Sequence, residues 1–208
     1  MIIKRFINNK EFSCSLYVVS IDQTNFIVDP GFCNKEILNY LDSIGGLDFI
    51  LITHGHFDHI LGINQLLEVY KDIDIYSFYL EEELLFSSKL NLTKSISRQM
   101  IDFSKNYLPL NEGKITIHGI SFEVIHTPGH TKGSCSYLFR KEKSMFVGDF
   151  IFQASVGRTD LPTGSEFELL SSIDKLKKLR LNNDITIYPG HEKIFKTEEL
   201  YKINPYFH

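Results

Sequence analysis

The chain has 208 residues, 43% of them hydrophobic and 23% charged, proportions that fit one folded α/β domain over residues 1–208 and exclude a disordered or fibrous chain. Lys and Arg total 22 against 26 Asp and Glu, a formal charge of -4, so there is no overall basic field to recruit nucleic acid or anionic lipid. Lys4, Arg5, Lys10 and Glu11 interrupt any apolar signal segment, no run approaches membrane-spanning length, and Cys14, Cys33 and Cys135 form no CxxC pair; a cytoplasmic protein with buried free thiols is expected.

Residues Ser15 to Val28 alternate β-branched and aromatic side chains around Ile21-Asp22-Gln23-Thr24, which predicts a hairpin ending at the turn Asp29-Pro30-Gly31. Asn34 is a plausible N-cap for a helix with Ile37, Leu38, Leu41 and Ile44 on one face, stopped by Gly45-Gly46. Phe49 to Thr53 is a short apolar strand that runs into His54, and Asp58 to Tyr70 predicts a second amphipathic helix, followed by a strand from Ile73 to Phe78. Tyr79 to Asn111 mixes Glu81-Glu82-Glu83, Leu84-Leu85-Phe86 and polar turns, and is expected as a helical, partly irregular excursion able to overhang a site. Strands Lys114–His118, Ser121–His126, Ser134–Arg140 and Ser144–Val147 then form a meander. The capping box Ser165-Glu166-Phe167-Glu168 opens a helix that buries Leu169, Leu170, Ile173, Leu176 and Leu179. Its basic end, Lys175, Lys177, Lys178 and Arg180, is read as a solvated face, and Asp184–Tyr188 as the last strand.

His54-Gly55-His56-Phe57-Asp58-His59 places three imidazoles and a carboxylate in six residues between a strand and a helix. At a strand end the two-residue period points His54 and His56 the same way, so both can bind one ion. Asp58 and His59 lie past the turn and are better placed for a second ion. Three more strand ends carry the same chemistry: Thr127-Pro128-Gly129-His130, Gly148-Asp149 and Pro189-Gly190-His191, each with a small residue that lets the backbone approach a crowded centre. Nitrogen and carboxylate donors suit Zn, Fe or Mn.

The pattern HxHxDH, then TPGHT, GD and PGHE, resembles the metallo-β-lactamase fold superfamily. Within it the chain is similar to the small hydroxyacylglutathione hydrolase (glyoxalase II-like) branch, with further matches at Val28-Asp29-Pro30-Gly31, Gly157-Arg158-Thr159-Asp160 and Asn204-Pro205-Tyr206. The resemblance implies a four-layer αβ/βα sandwich with the site at one edge. It implies two divalent ions, zinc first, with iron or manganese as alternatives. His54, His56 and His130 would hold one ion, Asp58, His59 and His191 the other, and Asp149 would bridge them. The implied activity is metal-dependent hydrolysis of a small-molecule thioester such as S-lactoylglutathione. Persulfide dioxygenases, which use one iron, share an element like Gly157–Asp160, and lactonases and β-lactamases share the ligands, so these activities stand as alternatives. The chain departs from full-length glyoxalase II in lacking its extra carboxy-terminal helical region, which contributes glutathione contacts there.

A metal pair lowers the pKa of bound water toward about 7, and the chain shows no GxSxG or comparable nucleophile motif. A bridging hydroxide oriented by Asp58 and Asp149 is therefore the expected nucleophile. Arg158 is a candidate clamp for an anionic substrate, with an ion pair to Asp160 as the competing reading. Asp29 is expected to hydrogen-bond a ligand histidine, His126 to orient the loop before His130, His118 to lie on a surface strand, and Cys135 to sit in the core.

Overall fold

The computed structural model describes residues 1–8, 13–96, 101, 107–179 and 181–208. Lys10, Glu11, Arg180 and part of the Tyr79–Asn111 excursion lie outside the described residues. The first sheet contains β1 (Ile2–Ile7), β2 (Ser15–Ile21), β3 (Thr24–Val28), β4 (Phe49–Ile52), β5 (Asp74–Phe78) and β6 (Tyr107–Leu110), in that spatial order. Its first two pairings are antiparallel and the remaining three parallel. Helices α1 (Lys35–Ser43), α2 (Phe57–Ile60), α3 (Ile63–Val69) and α4 (Glu82–Leu85) belong to this half. The second sheet runs β7 (Gly113–Ile117), β8 (Ile120–His126), β9 (Cys135–Phe139), β10 (Ser144–Gly148), β11 (Thr186–Pro189) and β12 (Phe195–Lys196), with helices α5 (Glu166–Lys178) and α6 (Thr197–Ile203).

Alternation along the strands builds the layers. Tyr17, Val19, Phe26, Phe49 and Leu51 of the first sheet meet Phe122, Val124, Tyr137, Phe139 and Phe146 of the second in one buried cluster. Their intervening neighbours face outward: Leu16, Val18, Ile27, Ile50 and Ile52 pack on Ile37, Leu41, Ile63 and Leu66 of the helices, and Leu138, Met145 and Val147 pack on Leu169, Ile173, Leu176 and Leu200. Two apolar faces per sheet require two covers, one sheet and one helical layer. The result is the expected four-layer α/β sandwich.

The hairpin, the Asn34 cap and the meander lie where the residue pattern puts them. Asn34 Oδ1 accepts from Ile37 N at 3.0 Å, and Ser165 Oγ accepts from Glu168 N at 3.3 Å. Several expectations are corrected. The helix expected over Asp58–Tyr70 is two helices, because the Gly62 N–H bonds the Pro30 carbonyl at 2.8 Å. Leu170 is 45% exposed, since it sits off the Leu169/Ile173/Leu176 stripe. His118 occupies a turn with φ 48 and stacks on Phe49. Asp184–Tyr188 does not supply the last strand, because β12 pairs antiparallel to β11. β1 and β6 add edge strands: β1 carries the edge charges Lys4 and Arg5, and β6 carries Pro109, a residue that strands admit at edges. Cys14 and Cys135 are buried free thiols, whereas Cys33 is half-buried.

Candidate metal centre

Four strand ends from the two sheets converge on one spot. β4 delivers His54 and His56 with α2 adding Asp58 and His59, β8 leads to His130, β10 to Asp149 and β11 to His191. The donor atoms form the groups His54/His56/His130 and Asp58/His59/His191, each with its atoms within 4.8 Å of one another, and a third such group, Asp29/His54/His59, shares a histidine with each of them. His56 Nδ1 lies 2.9 Å from His130 Nε2, and His191 Nε2 lies 3.1 Å from Asp58 Oδ2. Ligands about 2.0–2.1 Å from one tetrahedral ion are separated by roughly 3.3 Å, so these spacings are near those a cation imposes. Asp149 sits between the groups. Its Oδ1 is 3.5 Å from His59 Nε2, and its Oδ2 is 3.6 Å from His130 Nε2 and 3.5 Å from His191 Nε2.

Hydrogen bonds on the far side of the His54, His59, His130 and His191 rings leave a donor atom free. His130 Nδ1 donates to the Arg158 carbonyl at 2.7 Å, and His191 Nδ1 to the Ser13 carbonyl at 3.3 Å. His59 Nδ1 donates to Asp29 Oδ2 at 3.1 Å. Thr53 Oγ1 donates to that same Asp29 oxygen at 2.6 Å and therefore accepts from His54 Nδ1 at 3.2 Å. Asp29 thus orients one imidazole of each group, the role expected of it. At the site, buried His54 Nε2, His56 Nε2, His59 Nε2 and Asp149 Oδ1 have no hydrogen-bond partner among the described residues. Unpaired buried donors and acceptors are costly, and metal held by these residues would satisfy them. The residues fit a metal.

The charges are arranged for the same end. Burial, reinforced by neighbouring imidazoles, holds His54 well below the ordinary histidine range and pushes His56 down to about 3. Burial also lowers His130, so all three present neutral rings at pH 7. At His59 burial opposes the charge, but Asp149, Asp58 and Asp29 override it and raise the imidazole to about 10. At Asp58 burial likewise opposes the charge, and His59 and His191 hold the carboxyl below its usual range.

Close approach constrains the backbone too. A Cβ at Gly190 would collide with Asp149 Oδ1 and the His59 ring, and one at Gly148, where φ is +53, would collide with Thr53 Oγ1. Only a glycine admits both the left-handed backbone and the contact. The Arg158 guanidinium makes a bidentate pair with Asp160, 2.7 and 2.6 Å, in the open, so the structure brings its backbone, not its side chain, to the ligand histidines. His126 stacks on Phe78 and contacts the Lys132 carbonyl, bracing the loop around His130. Cys135 is core: burial pushes its thiol up to about 12. Asn204 donates to the carbonyls of Phe152 and Ser155, tying down the segment that follows Asp149.

Several supports had no mark in the sequence. Arg5 bonds Ser15 Oγ and the Glu192 carbonyl, fixing the residue after His191 from the amino-terminal strand. Glu81 is buried beneath the loops that carry His54, His56 and His130, and burial raises it to about 7 against the pull of three hydrogen bonds. Within Glu81-Glu82-Glu83 it looks like any solvated carboxylate. An open cleft of about 440 Å³, lined by Tyr79, Leu80, Glu82, Glu83, Phe86 and Lys132, lies beside it.

The family model described as Metallo-beta-lactamase superfamily matches residues 9–191. Hydroxyacylglutathione hydrolase GloC of Haemophilus influenzae is 32% identical over 197 residues, covering 93% of this chain and 92% of its own length. A solved structure of the BLEG-1 B3 metallo-beta-lactamase superposes with a TM-score of 0.87 at 32% identity, covering 99% of each chain. One of TTHA1623 in a di-iron-bound form superposes at 0.85 and 26% identity, covering 98% of this chain and 99% of that one. With its paired His/Asp groups at the meeting of two sheets, the chain is a metallo-hydrolase and belongs to the metallo-β-lactamase superfamily.

Proposed function

We propose that this hydrolase binds two divalent ions, zinc foremost with iron or manganese as alternatives, and cleaves small thioesters, S-lactoylglutathione being the first to test. The observation that carries the reading is the pair of donor groups with Asp149 reaching into both. His54, His56 and His130 would hold one ion, Asp58, His59 and His191 the other, and Asp149 would bridge. When bound, such a pair polarises a carbonyl and brings the pKa of water toward about 7. Asp58 and Asp149 would then also orient the attacking water. Thiol chemistry by the protein is disfavoured, since burial raises both Cys14 and Cys135 to about 12. A thiol leaving group, with a pKa of about 8.5, departs without a strong general acid. The relative named hydroxyacylglutathione hydrolase supports the thioester reading, and the one named B3 metallo-beta-lactamase supports a second, β-lactam hydrolysis. The same proposal takes residues 1–208 as one domain acting on a small molecule in the cytoplasm; among the described residues no helix is long and apolar enough to cross a membrane.

The test compares three assays on one metal-loaded preparation: thiol release from S-lactoylglutathione, opening of a chromogenic cephalosporin, and oxygen uptake with glutathione persulfide. Thiol release as the fastest reaction is expected. Oxygen uptake without thioester cleavage would replace the hydrolase with an iron dioxygenase, and cephalosporin turnover alone would select the β-lactamase. Arg158→Ala should raise KM at most about fivefold with kcat unchanged, because the exposed guanidinium must leave Asp160 to meet a substrate carboxylate.

A further inference from the structure

Glu81 ends the single 3-10 turn Tyr79–Glu81 that follows β5, and it is fully buried, at 0% exposure. Its Oε1 accepts from Gly55 N at 2.8 Å. Its Oε2 accepts from Gly133 N at 2.8 Å and from Thr131 Oγ1 at 2.9 Å. Gly55 lies between His54 and His56, and Thr131 follows His130. One carboxylate therefore joins the loop leaving the first sheet to the loop leaving the second, at the residues beside all three imidazoles of one donor group. A Cβ at Gly133 would collide with the Glu81 backbone, so the two segments are in direct contact.

We propose that Glu81 is a positioning residue that sets the spacing of His54, His56 and His130, and with it the affinity of their ion, without touching ion or substrate. The inference rests on the assignment of those three histidines to one ion. An ionised carboxylate offers only acceptors, and here it meets three donors. Glutamine would turn its NH2 toward either the Gly55 N–H or the Gly133 N–H and the Thr131 hydroxyl, setting donor against donor in a buried place. Aspartate, a methylene shorter, cannot span both loops. Nothing of the Asp58/His59/His191 group bonds Glu81, so the effect belongs to one ion of the two.

The experiment strips the full-length protein of metal and titrates it with cobalt(II), following the ligand-field bands, against a competing chelator. Glu81→Gln is introduced into two backgrounds: His59→Ala, which keeps the three-histidine group, and His56→Ala, which keeps the other. In the first, affinity for cobalt(II) should fall about 10- to 100-fold, the usual cost of losing a partner that orients ligands, with altered bands. In the second it should change less than about threefold. Equal losses in both backgrounds, or none in the first, overturn the proposal. Should His59→Ala alone still bind two ions, the ligand assignment fails and the role of Glu81 is not what failed. If Glu81→Gln does not fold, Thr131→Val removes one donor to the carboxylate, with a smaller loss expected in the first background only; an unchanged affinity there counts against the role.

Discussion

Asp149→Ala is expected to produce the largest loss of any single substitution, with metal content falling from two ions to below one and kcat falling about 10³-fold. The cause is geometric. Asp149 sits 3.5–3.6 Å from imidazole nitrogens of both donor groups, so in the proposed two-ion centre its removal would take a ligand from each ion. Metal-derived charge stabilisation is worth several kcal/mol, and at 1.36 kcal/mol per decade that is about three decades of rate. Elemental analysis of the purified variant, with circular dichroism to confirm the fold, checks it. A variant that keeps two ions would remove Asp149 from the bridging role.

His59→Ala is expected to lose one ion of two and to change the proton balance of metal uptake. In the metal-free protein Asp149, Asp58 and Asp29 hold His59 up at about 10 despite its burial. Its folded pKa is raised above the usual 6.5, so its ion pairs stabilise the metal-free protein fully below pH 6.5, and this contribution is lost as pH rises through about 10. Within that window an ion at Nε2 must displace a proton. Calorimetry of the second ion at pH 8, in buffers of different ionisation enthalpy, should show His59 contributing one released proton, and affinity should rise with pH up to about 10. His59→Ala should abolish that component together with the ion. Full metal content in the variant would disprove the assignment.

These expectations draw unequally on sequence and structure. The strands and the cap residues Asn34 and Ser165 were legible because alternation and capping are local: each depends on residues within a turn or a strand of one another. The seven candidate donors could be picked out as well, since each His or Asp follows a strand or, for Asp58 and His59, opens the helix just after one, with a glycine or a histidine motif beside it. The broken helix was not, because a carbonyl at Pro30, about thirty residues away in the chain, takes the Gly62 N–H. Nor were the edge strands β1, β6 and β12, whose order comes from pairing with a neighbour more than from their own patterns.

The sequence by itself determined the α/β sandwich and the membership of the metallo-β-lactamase superfamily, and it named the candidate donors, because those rest on residue type and local period. Only the tertiary structure decided how the donors are held. It put Asp29 behind one imidazole of each group, Arg5 behind the loop of His191, and Glu81 between the loops of His54, His56 and His130. It also directed Arg158 to Asp160. A carboxylate or guanidinium looks the same in a sequence whether water or a buried loop surrounds it, and the packing of two sheets is what makes that choice.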